Sequence, residues 1–142
     1  MNKLFLKTMQ NANTNFALLL LRSGAALMML THGYPKLMQF FSGEPITFAS
    51  IFGLSMTISL LLAVFAEVIC SIFVLLGLGT RLAAIPLIFT MLIAAFYIHA
   101  DDPFASKEKA FLFALIFIVL FISGGGKYSF DNLFVRKLKK AK

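Results

Sequence analysis

Four long apolar stretches, separated by short polar or glycine-rich segments, dominate the pattern along the chain. They predict four helices, at approximately 16–35, 56–78, 81–99 and 106–123. Each approaches the roughly 20 helical residues that cross a hydrocarbon core of about 30 Å. No period-two alternation appears, and an open sheet cannot satisfy its backbone groups in lipid. The pattern predicts an all-α membrane protein: a four-transmembrane-helix antiparallel bundle in a single domain, residues 1–142.

Short breaker motifs mark the ends of these helices. The segment "GLGTR" at 77–81 ends the second helix with glycine and offers Thr80 as a cap for the third. Pro35 is expected to close the first helix. The structural turn candidates are Gly33, Gly77, Gly79 and Arg81.

Composition supports a lipid environment. The 142 residues are 60% hydrophobic and only 13% charged, and they include 17 Phe. The mean hydropathy is +0.90. A soluble domain needs a larger polar surface, so these values indicate an integral membrane protein whose first partner is the lipid bilayer.

The basic residues are distributed unevenly between the two sides of such a bundle. Lys36, Lys107 and Lys109 fall on one side, with the first and third loops. The other side holds both termini and nine of the 13 basic residues: Lys3, Lys7, Arg81, Lys127, Arg136, Lys137, Lys139, Lys140 and Lys142. Because cytoplasmic loops carry an excess of Lys and Arg, both termini are predicted to be cytoplasmic.

The C-terminal segment 127–142 mixes basic residues with Tyr128, Phe130, Phe134 and Leu138. This mixture is typical of a helix that lies on an anionic lipid surface, and it predicts a basic cytoplasmic tail. A nucleic-acid partner is the competing interpretation of a basic run. The adjacent membrane helix argues against it.

Two charged residues fall well inside predicted membrane helices, away from the helix ends. Arg22 interrupts "LLLLRSGAALMML", and Glu67 lies in the middle of the second helix. A lone charge at this depth costs about 2.5–3.5 kcal/mol, so each side chain requires a partner. The sequence predicts a polar core in which Arg22 pairs with Glu67, either as a structural lock or as part of a functional site.

Two histidines end predicted helices on the outer side. His32 lies in "THGYPKL" with Lys36 one turn away, and His99 ends the third helix. In an up-and-down bundle these residues could approach each other across the mouth, where they would bind a ligand or relay protons. No third ligand accompanies them, which disfavours metal or haem and leaves quinone as the cofactor to consider. Cys70 is the only cysteine, so the chain cannot perform dithiol chemistry by itself.

Three segments together resemble the DoxX family of small bacterial membrane proteins: "LLLRSGAALMMLTHGYPKL", "EVICSIFVLLGLGTRLAAIPLIFTMLIAAF" and "GGGKYSFD". The resemblance implies a four-helix protein of the bacterial inner membrane. It also implies relatives among small subunits of sulfur-linked, quinone-reducing complexes and among proteins of thiol and oxidative-stress balance. The family's characteristic polar positions would be Arg22, His32, Gly33, Lys36, Glu67, Gly77 and Arg81.

These observations favour a redox-associated membrane subunit rather than an autonomous enzyme. Two alternatives from other classes stay open: a transporter or channel for a small solute or protons, and a membrane anchor for a soluble oxidoreductase. The first would require a path through the bundle or a homo-oligomer, and the second would require a partner subunit bound through the basic tail.

Overall fold

The computed structural model describes the backbone of residues 3–140 and the side chains of residues 12–138. The basic side chains of Lys3, Lys7, Lys139, Lys140 and Lys142, and the last two residues of the predicted tail, lie outside this part. The described backbone is helical and contains no strand. The helices are α1 (Lys3–Gln39), α2 (Met56–Val64), α3 (Ser71–Leu76), α4 (Thr80–Ile93), α5 (Phe104–Ser123) and α6 (Phe130–Lys140).

Two π-helical segments interrupt this series. Phe65–Cys70 joins α2 to α3 without a break, which gives one helical rod over Met56–Leu76. Ala94–Ile98 extends α4 to give a second rod over Thr80–Ile98. Among the described residues, three helices are long and apolar enough to cross a membrane: Ala12–Gln39 of α1 and the two rods. The helix α5 is 20 residues long but carries three consecutive charged residues, at 107–109, in its first two turns.

Three predicted helix ranges lie within two residues of the observed helices, whereas α1 extends beyond its predicted range at both ends, from Lys3 to Gln39. Pro35 was expected to close that helix, but α1 continues past it to Gln39. A proline removes only its own N–H group, and the turn that follows it carries Lys36, whose side chain is held by an ion pair to the neighbouring rod. The extra turn therefore has a tertiary contact that the local sequence does not reveal.

The rods pack side by side in alternating directions, with α1 against α3 and α4 against α5. Small side chains dominate the contact surfaces, which lets the backbones approach closely. The buried core consists of Ala25, Ala26, Met29, Cys70, Val74, Ala83, Ala84, Leu87, Met91, Ala114, Phe117 and Leu120. Large apolar side chains such as Leu20, Leu82 and Ile122 project outward instead, as expected for surfaces that contact lipid.

The α3–α4 turn (77–79) and the α5–α6 connection (124–129) lie at one end of the bundle, which we call the basic end. Asp131 connects the start of α6 to the α3–α4 turn and the start of α4. Its carboxylate accepts hydrogen bonds from the backbone N–H groups of Gly79 (2.7 Å) and Thr80 (3.1 Å). Its own N–H donates to the Gly77 carbonyl at 3.0 Å. Thr80 was expected to cap α4, but it is the first residue of that helix and Asp131 supplies the cap from 51 positions away.

Gly77 ends α3 as predicted, in the left-handed conformation with φ of 71°. Its position also depends on space, because a Cβ atom there would overlap the Arg22 guanidinium and lie 2.6 Å from Ser129 Cβ. Only glycine combines this backbone conformation with such a close contact.

We predict that Gly77→Ala destabilises the protein more than Gly43→Ala. Both glycines have φ near 74°, but a Cβ at Gly43 would have no neighbour within 4 Å. The two variants share the backbone strain, and Gly77→Ala adds a steric overlap worth about 1–3 kcal/mol. Thermal and denaturant unfolding in detergent micelles would measure the difference. Equal losses of stability would contradict the packing of Arg22 against Gly77.

Candidate functional site

A polar cleft opens at the end of the bundle opposite the basic end. Its volume is about 200 Å³, and α1, both rods and α5 contribute to its walls. Its polar and charged lining residues are His32, Lys36, Glu67, His99, Ser106 and Lys109, and its other walls are Met91, Ala94, Ala110 and Phe113. The cleft thus brings together four of the five predicted site residues. Arg22 is the exception.

Glu67 and Lys36 form an ion pair at the inner wall of the cleft. Glu67 Oε1 accepts a hydrogen bond from Lys36 Nζ; the Glu67 side chain is 3% exposed, and the Lys36 side chain is 28% exposed. The second carboxylate oxygen, Oε2, is buried and has no hydrogen-bond partner among the described residues. Since an unmet buried acceptor is costly, a hydrogen bond from a ligand or water that reached this oxygen would stabilise it.

Gly33 lets α1 approach closely enough for this pair to form. The sequence grouped Gly33 with the turn candidates, but it lies inside α1. A Cβ atom at this position would be 2.7 Å from Val68 Cγ2 and 3.0 Å from the backbone carbon of Glu67. The missing side chain therefore allows Lys36, one turn further along α1, to reach the carboxylate.

Both π-helical segments border the cleft. Glu67 lies within Phe65–Cys70, and His99 directly follows Ala94–Ile98. The extra residue of a π-helical turn changes the direction in which nearby side chains project, and such turns occur frequently at functional sites. Hydropathy gives no sign of these irregularities, so sequence reasoning missed them.

The two histidines line the cleft without a hydrogen bond to each other. His32 packs edge-on against Phe113, with ring centroids 6.0 Å apart. His99 Nδ1 lies 2.6 Å from Asp102 Oδ2. Each ring is therefore positioned by a different neighbour, and each has at least one nitrogen that can form a hydrogen bond with another partner.

The expected ion pair between Arg22 and Glu67 is wrong. Arg22 is 2% exposed, and its Nη1 and Nη2 atoms donate to the carbonyls of Val74 (3.3 Å) and Tyr128 (3.0 Å) at the basic end. Glu67 lies beside Gly33, 11 residues from Arg22 along α1. At 1.5 Å per residue this separation is about 16 Å, beyond the reach of an arginine side chain. The two buried charges thus belong to different clusters.

The other predicted turn residues also lie at the basic end. Gly79 precedes α4 in the left-handed conformation. Arg81 Nη2 donates to the Ile122 carbonyl at 3.0 Å, which ties α4 to the end of α5.

Sequence reasoning missed two polar residues of the cleft, Ser106 and Lys109. Both come from the first turns of α5. Both fall within the predicted fourth helix, 106–123, but Ser106 was considered only as its start and Lys109 only as one of the outer-side charges. Their spacing of three residues, which places them on one helix face, is the signal that could have identified them.

Comparisons with known proteins agree with this architecture. A family model described as DoxX matches residues 17–100, a range that includes Arg22, His32, Lys36, Glu67 and His99. An uncharacterized protein of Haemophilus influenzae is 34% identical over 129 residues, which cover 86% of this chain and 93% of that relative. No solved structure gives a significant match.

We predict that the stability effects of the Lys36–Glu67 pair are not additive. Lys36→Met leaves a buried carboxylate unpaired, and we expect it to lower the free energy of unfolding by about 1–3 kcal/mol, since Lys36 is partly exposed. Adding Glu67→Gln removes the orphaned charge and should restore part of this loss. Denaturant unfolding of the two single variants and the double variant measures the coupling.

Lys107→Met is the matched control for this cycle, since Lys107 lies at the same end of the bundle but its Nζ donates to the exposed Ala100 carbonyl. It should change stability by less than 0.5 kcal/mol, as is typical of surface sites. Additive losses for Lys36→Met and Glu67→Gln would contradict the ion pair.

Proposed function

Because the chain belongs to the DoxX family, we propose that it is a redox-associated membrane subunit whose polar cleft binds the headgroup of a quinone. The proposed topology has four transmembrane helices in the bacterial inner membrane: α1, the two rods and α5. Both termini lie in the cytoplasm, which places the basic end inside and the cleft at the outer face.

The free oxygen of Glu67 is the observation that supports a ligand in the cleft. A carboxylate whose side chain is 3% exposed, paired on one oxygen and without a hydrogen-bond partner on the other, would be stabilised by a hydrogen bond from a ligand hydroxyl group. Lys109, Ser106 and the histidines line the same space and can donate to a carbonyl. The cleft thus offers both an acceptor and donors.

The apolar walls fit the rest of such a headgroup. Phe113 and Met91 present an aromatic ring and a flexible thioether to the cleft. These groups pack well against a flat ring. The donors, the acceptor and the ring-binding wall together favour a small ring with oxygen substituents over a simple ion.

A bound quinone would supply two-electron, two-proton redox chemistry. In this chain, Glu67 Oε2 would exchange a proton with the headgroup oxygen, and the ion pair with Lys36 would hold the carboxylate in position. His99 and Asp102 lie at the exposed mouth, where they can pass protons to outside water. The only cysteine, Cys70, is buried, so the electrons are expected to come from a partner subunit.

A solute path through a single copy of the chain is less well supported. Between the cleft and Arg22, the bundle is filled by Ala25, Ala26, Met29, Cys70 and Val74, all at most 3% exposed. A transporter would have to open this core or assemble a path between copies. Solute flux in proteoliposomes that contain only this chain would favour it.

We predict that Glu67→Gln weakens quinone binding by about tenfold or more, since a charge-assisted hydrogen bond contributes about 1.5–3 kcal/mol. His32→Ala should weaken it less. Glu44→Gln, which changes an exposed acid in the outer loop, is the matched control and should have no effect. Titration of the purified chain with a short-chain quinone, with mass spectrometry of co-purified quinone, provides the measurement. Unchanged binding in both Glu67→Gln and His32→Ala would refute the proposal.

A further inference from the structure

A second cavity, which we call the Arg81 groove, lies at the basic end and takes no part in the proposed redox site. Its volume is about 510 Å³. Four segments line it: the start of α4, the end of α5, the glycine-rich connection and α6. Arg81, Asp131 and Asn132 give the lining polar groups, and Leu82 and Val135 give it apolar ones.

Arg81 is the cation of this groove, and the fold holds it in place. Its Nη2 donates to the Ile122 carbonyl, which uses one of the five N–H donors of the guanidinium group. A Cβ atom at Gly124 would lie 3.3 Å from Arg81 Nε, so the glycine provides room for the side chain across the end of α5. The exposed remainder of the guanidinium is preorganised to bind an anion.

The carboxylate of Asp131, which lines the groove, already has hydrogen-bond partners within the protein. The Asp131 carboxylate accepts hydrogen bonds from the Gly79 and Thr80 backbone N–H groups and from Thr80 Oγ1 at 3.2 Å. Asp131 also interacts electrostatically with the buried Arg22. Its charge is thus largely compensated from within the protein, which leaves Arg81 to determine which ligand enters.

The surroundings of the groove match an amphipathic ligand. Leu82 and Val135, which border it, are 74% and 49% exposed. Two further basic residues, Arg136 and Lys137, follow Val135 along α6 and are exposed. A free inorganic anion would not contact the apolar side of the groove. A phospholipid could place its phosphate at Arg81 and its acyl chains against that side.

We infer that the Arg81 groove binds the phosphate of an anionic phospholipid, whose acyl chains extend along Leu82 and Val135. The basic end faces the cytoplasmic leaflet in the proposed topology, and that leaflet is rich in anionic lipid. The site uses this orientation but is independent of quinone binding in the cleft, so either assignment can fail without the other.

A tryptophan reporter can test this site, because the chain contains no Trp. Leu82→Trp places an indole beside Arg81, and the full-length reporter chain is reconstituted into phosphatidylcholine nanodiscs. Quenching by brominated phosphatidylglycerol is compared with quenching by brominated phosphatidylcholine at equal mole fractions. We expect a preference for the anionic lipid that falls about fivefold in Arg81→Gln, as expected when one cation near the membrane surface is lost.

Two control variants separate charge at this site from folding and from general surface charge. Arg81→Lys keeps the charge and should retain most of the preference. Lys107→Gln removes a cation at the opposite end and should leave the preference unchanged. Equal quenching by the two lipids, or a preference that Arg81→Gln does not alter, would overturn the inference. Loss of the preference on adding inorganic phosphate at constant ionic strength would assign the groove to a free anion and would also overturn it.

Discussion

The absence of water inside a membrane determines where this protein places its polar groups. Every buried charge and every unpaired backbone group must find a partner within the chain, because lipid provides none. The structure meets this requirement with two separate clusters, Arg22 at the basic end and Glu67 with Lys36 at the other. The intervening core contains small and apolar side chains such as Ala26, Met29 and Leu87. Helix packing, the cleft and the groove all follow from this division.

The helix α1 connects the two clusters, since it carries both Arg22 and Lys36. Fourteen residues separate them, or about 21 Å along a helix. A glycine provides clearance at each cluster: Gly77 faces the Arg22 guanidinium, and Gly33 faces Glu67 and Val68. Both contacts fix the position of the same helix. The register of α1 against the Met56–Leu76 rod is therefore specified twice.

Hydropathy was sufficient to predict the helices, their order and the burial of Arg22 and Glu67, because these depend on local composition. It could not predict which charges meet. Pairing Arg22 with Glu67 needed only opposite signs on neighbouring helices, whereas the observed pairing depends on depth in the bundle and on Gly33. The capping of α4 by Asp131, 51 residues away in sequence, and the π-helical turns beside Glu67 and His99 also arise from tertiary contacts. Single-sequence patterns carry no record of them.

The two clusters differ in how completely the fold provides partners for the buried charge. Arg22 donates to two backbone carbonyls that its own fold provides, and it does not line the groove at the basic end. Its Nε has no partner among the described residues, but that atom is a single donor on a group otherwise committed to the backbone. Glu67 instead leaves one carboxylate oxygen without a hydrogen-bond partner among the described residues, and it lines a cleft with donors on other helical segments. A half-satisfied buried ion pair is less stable than a well-packed apolar core, so stability alone does not account for this arrangement. Under the proposed function, a ligand bound in the cleft would complete the hydrogen bonding of Glu67.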